Sequence, residues 1–557
     1  MLLAQQPGAE TKTVRPVRID EAPIIDGQLD EAVWALAEPV RDLHQVWPTE
    51  YADPTVDTEI YVLYDENALY IGARLKDDNP DQITAQVLRQ GERPNNDDYF
   101  AVIVSPFNDQ RSGYLFEVNP NSVRSEALYQ DGNRTQFEWQ GIWNASSSIR
   151  EDGWQTEIEI PFKSLSFDPR SDTWGINFTR RIGRNREADG WVSRNRSQNP
   201  VVSGVAVGFS GLEQGLGLDV VPAASLVQSK DFQTGVTDSS FEPSLDVFYK
   251  FTPELTGVLT VNTDFSATEV DDRQTNLTRF SLFFPEKRDF FLQDSDIFEF
   301  GGLGRNEGAN SHNGRPFFSR KVGLSEDRTP VDLTGGVKLA GRAGPWNLGV
   351  LSVRQDATAT VDATDIFVGR ASLNVLAEST VGMVFTEGDP QSNLDNRVYG
   401  VDFQYQNSRL ASGRTLEADA WYQRSDTPGL DDNDEAYGFA VRRESFEGFG
   451  GFFEFRELQE NFNPALGFVN RVGIRRFSTA MTYYYRPRNS IVRAIQHRIG
   501  YNRTDRLTDG QVESEFLNWR LLEVQNHRGD RVIFSYLPQR ENLDADFEIT
   551  DGVIIPI

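Results

Sequence analysis

The sequence predicts an all-β protein in two parts, an N-terminal antiparallel β-sandwich and a C-terminal antiparallel transmembrane β-barrel. Three observations carry this reading. Up to about residue 210, short apolar segments are separated by Gly, Pro, Asn and Asp clusters, the pattern of a sandwich. From Gly217 onward the segments lengthen to roughly 9–11 residues and alternate strictly, as tilted strands that cross a bilayer do. No apolar run reaches about 18 residues, so no membrane-spanning helix is expected, and closed barrels never carry that signal.

In the first part, Ile24-Ile25-Asp26-Gly27 reads as a strand ending in a turn, and 29–36 as a short helical stretch with Leu29, Val33 and Trp34 on one side. Segments 58–64 and 68–75 are apolar at nearly every position, so both faces are expected to be covered. Further strands are expected at 99–104, 115–118, 154–160 and 174–180. In the second part, Val401, Phe403 and Tyr405 oppose Asp402, Gln404 and Gln406. Leu416, Ala418 and Ala420 likewise oppose Glu417 and Asp419, and Ala371, Leu373 and Val375 oppose Arg370, Ser372 and Asn374. Tight turns at 252–254 and 341–345 alternate with longer polar links such as 425–435, and aromatics recur at strand ends.

One stretch breaks the alternation. Residues 271–300 crowd Asp271, Asp272, Arg273, Arg279, Glu286, Lys287, Arg288 and Asp289 among Phe280, Phe283, Phe284, Phe290 and Phe291. Such charges are costly to bury unless they pair. The stretch reads either as a surface loop or as an insert that fills the barrel lumen, and the lumenal reading is taken forward.

Composition excludes several classes. With 84 acidic against 55 basic side chains the net charge is −29, so nucleic acid is not an expected partner. The chain has no cysteine, which excludes disulfides, thiolate metal sites and cysteine nucleophiles. Residues 1–10 read as the tail of a signal peptide and the last residues stop inside an apolar run, so a fragment cut at both ends is expected.

Two family resemblances follow from motifs. Ile25-Asp26-Gly27-Gln28-Leu29-Asp30-Glu31 with Trp34, Leu69-Tyr70-Ile71-Gly72 running to Lys76-Asp77-Asp78, Asn96-Asp97-Asp98, and Trp154 through Phe162 together resemble the family-9 carbohydrate-binding module. Asn276-Leu277-Thr278-Arg279-Phe280, followed by Phe283-Phe284-Pro285-Glu286-Lys287-Arg288-Asp289-Phe290-Phe291, resembles the barrel region called domain of unknown function 5916, a family of Gram-negative bacteria. The implied organisation is a tail at 1–10, a carbohydrate-binding sandwich at 11–212, and an outer-membrane barrel at 217–557 with a lumenal insert at 271–300. The resemblance implies a polysaccharide or oligosaccharide ligand, outer-membrane lipid around the barrel, an envelope protein as a further partner, and calcium as the one cofactor to consider.

Sugar recognition needs aromatic faces and convergent polar groups. Trp47, Trp139, Trp143 and Trp191 lie in polar, loop-like contexts, whereas Trp34, Trp154 and Trp174 read as core. For any one of the first four, packing in the core or at the rim is the expected role ahead of stacking on a sugar. Asn96, Asp97, Asp98, Arg180 and Arg181 are the polar candidates. Oxygen ligands for calcium cluster at 77–78, 95–98 and 431–434, though none matches a twelve-residue calcium loop. No catalytic residue is assigned. Glycan recognition coupled to uptake or surface display is the leading expectation. A glycoside hydrolase, whose paired carboxylates cannot be picked out among so many acids, and a non-catalytic envelope scaffold remain as alternatives.

Overall fold

The computed structural model describes residues 11–557 except 131–133, 138, 213–216, 231–234, 236, 253, 264–279, 285, 306–308, 327–329, 377, 409, 411–413, 444–445, 488–490, 528–529, 543–546, 551–552 and 556–557. The expected N-terminal tail, most of the expected linker at 211–217 and the first part of the insert lie outside the described residues. Two compact units emerge, Met1–Gly217 with Lys250–Glu254, and Leu218–Tyr249 with Leu255–Ile557.

The first unit contains β1 (Thr13–Val14), β2 (Val17–Arg18), β3 (His44–Trp47), β4 (Thr58–Tyr64), β5 (Ala68–Lys76), β6 (Tyr99–Ser105), β7 (Gly113–Val118), β8 (Arg124–Gln130), β9 (Arg134–Gln136), β10 (Asn144–Arg150), β11 (Gly153–Pro161), β12 (Thr173–Ile182), β13 (Glu187–Gly190) and β14 (Gly204–Val207). One sheet runs β1-β14-β12-β6-β7-β8-β9, with β13 on β12 and β3 on β13; the other runs β10-β11-β5-β4-β2. All pairings are antiparallel except β1 with β14 and β2 with β4.

Alternation explains the layers. Phe100, Val102, Val104, Phe116, Ile176 and Phe178 face Ile60, Val62, Leu69, Ile71 and Leu75 across the interior, where Trp154 and Trp174 are also buried. The opposite faces of β4 and β5, with Tyr61, Leu63, Ala68 and Tyr70, are covered by Leu29, Trp34 and Ala37. This is why both strands are apolar throughout. The expected helical stretch is a 3-10 helix over Ala32–Leu36.

Glu157 holds that covering segment in place. One carboxylate oxygen accepts from the backbone N–H groups of Asp26, Gly27 and Gln28 at 3.0, 2.8 and 3.3 Å, and the other accepts from the Trp34 indole at 3.0 Å. The neighbouring Gln155 side chain accepts from the Leu29 N–H at 3.1 Å. Two motifs about 130 residues apart are therefore halves of one hydrogen-bonded clamp.

The second unit is one antiparallel meander: β15 (Leu218–Lys230), β16 (Thr237–Thr252), β17 (Leu255–Thr263), β18 (Leu333–Ala343), β19 (Trp346–Gln355), β20 (Thr364–Val375), β21 (Ser379–Glu387), β22 (Arg397–Asn407), β23 (Leu416–Asp426), β24 (Glu435–Arg443), β25 (Gly448–Leu458), β26 (Ile474–Tyr485), β27 (Val492–Arg506), β28 (Val512–Asn526) and β29 (Arg531–Tyr536), with β30 (Gln539–Glu541) also on β28. Sequential order holds throughout. Among the described residues no pairing joins β15 to β29, so the sheet is not seen to close.

Here the sense of burial is inverted. Val337, Leu339, Val350, Val381, Met383, Val401, Phe403, Phe439 and Val441 are exposed. Lys338, Arg370, Asp402, Glu417, Asp419, Glu454 and Arg456 are buried. The expected turn at 341–345 is tighter than its bounds, because β18 runs on to Ala343 and Gly344, at φ 58, turns the chain into β19. A left-handed residue at that corner suits glycine.

Replacing Glu157 by Gln should lower the stability of the first unit by about 2–3 kcal/mol, because an amide NH₂ must then face an N–H donor. Thermal unfolding of both proteins followed by circular dichroism measures this. An unchanged midpoint would show that the clamp does not hold the covering segment.

Candidate functional site: an aromatic and arginine row on the sandwich

The second face of the larger sheet carries a different set of residues from the core. In register across four strands, Trp47 of β3 lies opposite Ala188 of β13, Ala188 opposite Arg181 of β12, and Arg181 opposite Tyr99 of β6. Residues directly opposite in a ladder share a face. Trp47, Arg181 and Tyr99 therefore form one row. Trp47 and Tyr99 are three strand spacings apart, roughly 14 Å, with only the small Ala188 beside Arg181 between them.

A second row lies one pair further along the strands. Ala101 is opposite Glu117 on β7, and Glu117 is opposite Ser125 on β8. The buried Glu117 carboxylate accepts from Ser125 Oγ at 3.4 Å and lies 3.6 Å from Arg93 Nε. Arg93 in turn stacks over the Phe137 ring at 3.8 Å. Burial pushes the Glu117 carboxyl up, although Arg93 draws it down. Burial and the nearby Glu117 push the Tyr99 hydroxyl up to about 12, so it stays protonated and able to donate. Beyond this row the face becomes apolar, with Ile103, Leu115, Ala127 and Tyr129 packed together.

At the Trp47 end, the Arg196 guanidinium lies 4.6 Å from the indole and donates to the carbonyls of Val46 and Pro48 at 2.6 and 2.8 Å. Glu50 accepts from the Arg196 N–H at 2.7 Å and from Ser193 Oγ at 2.8 Å. Aromatic rings beside guanidinium, carboxylate and hydroxyl groups on an accessible face are the elements that bind a polar ring.

The other expected site residues fall elsewhere. Arg180 alternates with Arg181 and so points the opposite way, fully buried, donating to Asp57 O, Thr58 Oγ1 and Lys76 O. Trp191 is also a core residue, its indole donating to Asp42 at 2.9 Å and its ring 5.6 Å from Phe178. Trp143 is buried edge-on to Phe116 at 5.1 Å. Burial withdraws all three from a ligand. Trp139 is half-buried against Tyr114 and Phe116, whose side chains point to the interior side of the sheet.

Asn96 is exposed, whereas Asp97 and Asp98 are buried turn residues. Asp97 accepts from the Gln86 and Val87 N–H groups and from Asn119; Asp98 accepts from those of Thr84 and Gly183, and burial pushes its carboxyl up. Asp77 is engaged by Arg184 at 2.6 and 2.7 Å. Among the described residues no three acidic or histidine side chains cluster together.

Tyr99, Glu117 and Arg93 were not singled out in the sequence. Glu117 did leave a signal, as the one charged residue within the apolar strand Leu115-Phe116-Glu117-Val118.

The insert packs on the polar face of the second unit. Lys338 donates to the carbonyls of Phe290 and Gln293, and Arg342 pairs with Asp296 at 2.8 Å. Arg305 reaches Glu417 at 2.9 Å and Asp419 at 3.5 Å, and Arg442 continues the chain of charge from Asp419 to Glu454. Arg456 pairs with Glu454 at 2.7 Å and donates to the carbonyls of Asn310, Ser311 and Asn313.

In a lumen the 286–289 charges would be expected to pair with inward strand charges such as Lys338, Arg370 and Glu417, and the structure pairs them otherwise. Glu286 and Arg288 pair with each other at 2.6 Å, and Arg288 also donates to Ser319 O and Val322 O. The strand charges expected to meet them are bound otherwise, Arg370 to Asp402 and Glu417 to Arg305. Lys287 is half-buried, and its N–H donates to Glu286. Arg279 and the side chain of Asp289 lie outside the described part of the structure.

Residues 25–197 match the family described as "Carbohydrate family 9 binding domain-like", and residues 215–370 match "Domain of unknown function (DUF5916)". The chain carries a family-9-like carbohydrate-binding region followed by a DUF5916 region. The row from Trp47 to Tyr99 lies within the family-9-like region. Among solved structures, a family-9 module from Caldicellulosiruptor kristjanssonii in complex with cellotriose is 17% identical, covering 35% of this chain and 93% of its own, with a TM-score of 0.27. A putative carbohydrate-binding protein from Bacteroides uniformis is 16% identical, with coverages of 36% and 98% and a TM-score of 0.27. The outer membrane protein OprD from Pseudomonas aeruginosa is 10% identical, with coverages of 80% and 88% and a TM-score of 0.28. No curated protein matches the chain.

Two substitutions separate ligand contact from packing. Trp47→Ala should weaken glycan binding by about 1–3 kcal/mol, in the range of interface hot spots. Trp191→Ala should instead cost about 3–5 kcal/mol of folding stability as a core truncation. Calorimetric titration with thermal melts reads both, and a stable Trp191→Ala protein with lost binding would reverse the assignment. Arg288→Glu should destabilise the second unit by roughly 3–5 kcal/mol, by setting a like charge against buried Glu286. Heat-modifiability in detergent measures this, and identical behaviour would place the pair on an exposed loop.

Proposed function

We propose that this protein is an outer-membrane glycan receptor. Its family-9-like region binds polysaccharide or oligosaccharide on the Trp47–Arg181–Tyr99 face, and its second unit is a transmembrane barrel that couples binding to uptake or surface display. The observation that carries the glycan reading is the row itself: two aromatic side chains and an arginine on one accessible face of a region that matches a carbohydrate-binding family.

The membrane reading is supported by the inverted alternation of the second unit. Apolar side chains such as Val401, Phe403, Phe439 and Val441 are exposed over successive strands, while Asp402, Asp419 and Glu454 are buried on the other face. In water such an apolar surface would be a liability; against lipid tails it is the favourable arrangement. The strands β15 to β28, of 9 to 16 residues, are long enough to cross when tilted. No helix among the described residues is long and apolar enough to cross a membrane, which leaves the strand route untouched.

The protein should fractionate with the outer membrane, migrate faster on a gel before heating than after, and bind members of a glycan array. Recovery in a soluble fraction would remove the barrel, and an empty array would remove the receptor. Release of reducing sugar from bound polysaccharide would favour the hydrolase instead.

A further inference from the structure

We propose that the Trp47–Tyr99 face takes acidic glycans, chains bearing uronate or other carboxylate-carrying sugars, with Arg181 as the partner of the carboxylate. The proposal rests on the glycan-binding reading and narrows its ligand class.

Arginines in the sandwich are generally occupied. Arg184 is held by Asp77, Arg170 by Asp168, Arg41 by Glu59, and Arg93 lies against Glu117. Arg180 donates through both Nη atoms to two carbonyls and a hydroxyl, with only its Nε left over. Arg181 is half-buried, its Nε is likewise shielded from solvent without a partner, and no hydrogen bond or carboxylate engages the rest of its guanidinium among the described residues. In a chain with 84 acidic and 55 basic side chains, a half-buried guanidinium engaged by no partner is out of keeping with its surroundings.

Its position is equally specific. Arg181 lies directly opposite Tyr99 on one side and Ala188 on the other, with Trp47 beyond Ala188. Ala188 is short and buried, so the three longer side chains Trp47, Arg181 and Tyr99 form the surface of the row. Glu117, the acid of the next row, already lies against Arg93 and Ser125. A guanidinium offers a planar fork that matches a carboxylate with two parallel hydrogen bonds. A neutral sugar would meet the same fork with hydroxyls and leave its charge uncompensated in a partly desolvated place. A carboxylate on the sugar supplies both the acceptors and the charge.

The test uses the whole protein in detergent, titrated calorimetrically with oligogalacturonate as the acidic probe and cello-oligosaccharide as the neutral one. Oligogalacturonate is expected to bind about tenfold tighter, since charge-assisted hydrogen bonds are roughly twice as strong as neutral ones. That preference should vanish in Arg181→Gln, survive in part in Arg181→Lys, and shrink as salt is raised. Trp47→Ala should weaken both probes alike, which separates loss of stacking from loss of charge recognition. Equal or tighter binding of the neutral probe would overturn the acidic proposal while leaving the glycan reading standing. An acidic preference that persists in Arg181→Gln, with the fold intact by circular dichroism, would overturn the role of Arg181. Binding of neither probe would remove both readings.

Discussion

Asp402 is the point on which the second unit turns. Its carboxylate takes both Nη atoms of Arg370, at 2.6 and 3.0 Å, together with Gln404 and the backbone N–H of Gly301 in the insert. Arg370 and Asp402 stand on β20 and β22, and the guanidinium crosses β21 over Gly382, which lies opposite Asp402 and Ser372. A side chain at 382 would begin 2.6 Å from Arg370 Nη1, so the guanidinium reaches its partner only because that position is glycine. Both ionised groups are essentially excluded from solvent. Such a pair gives little net stability, but losing either partner is severe because the other is left charged and buried. The insert must therefore stay where its N–H completes the site.

This constraint propagates along the polar face. Lys338, Arg305, Arg442 and Arg456 each depend on a carbonyl or carboxylate, several of them supplied by 290–313. The two units use the same two-residue alternation with opposite sense. In the sandwich the apolar set points inward, and the polar set on the second face of the larger sheet is free to recognise a ligand. In the meander the polar set is buried, where it needs the insert, and the apolar set is exposed. On the function proposed above, the same period gives one unit a binding face and the other a membrane surface.

Much of this was legible in the residues. Strict alternation and lengthening strands mark the change of unit near Gly217, and doubly apolar strands at 58–64 and 68–75 mark the sheet covered on both sides. The motifs at 25–34 and 154–162 were readable among those that carry the family resemblance; that they meet in the Glu157 clamp was not. The site was less legible. Arg180 and Arg181 differ only in parity, and in a strand with apolar residues on both faces nothing local tells which of them reaches solvent. Trp191 follows a polar hairpin and reads as exposed, yet long-range packing on Phe178 takes it inside. Tyr99 shares a row with Trp47 only through two intervening strands. The charges of the insert were recognisable as needing partners, but the partners are fixed by tertiary contacts that no spacing encodes.

The central claim is that the outward apolar rows of the meander face lipid. Because the chain has no cysteine, single cysteines can carry spin labels without prior removal of others. Labels at Met383→Cys and Val401→Cys, which are opposite each other on β21 and β22, would be compared in lipid vesicles with one at the buried Ser372→Cys. Electron paramagnetic resonance then reads accessibility to oxygen, which concentrates in lipid, and to a water-soluble nickel chelate. The account predicts high oxygen and low nickel accessibility at 383 and 401, with low oxygen accessibility at 372. Strong nickel accessibility at both outward positions would mean that they face water, and would contradict it.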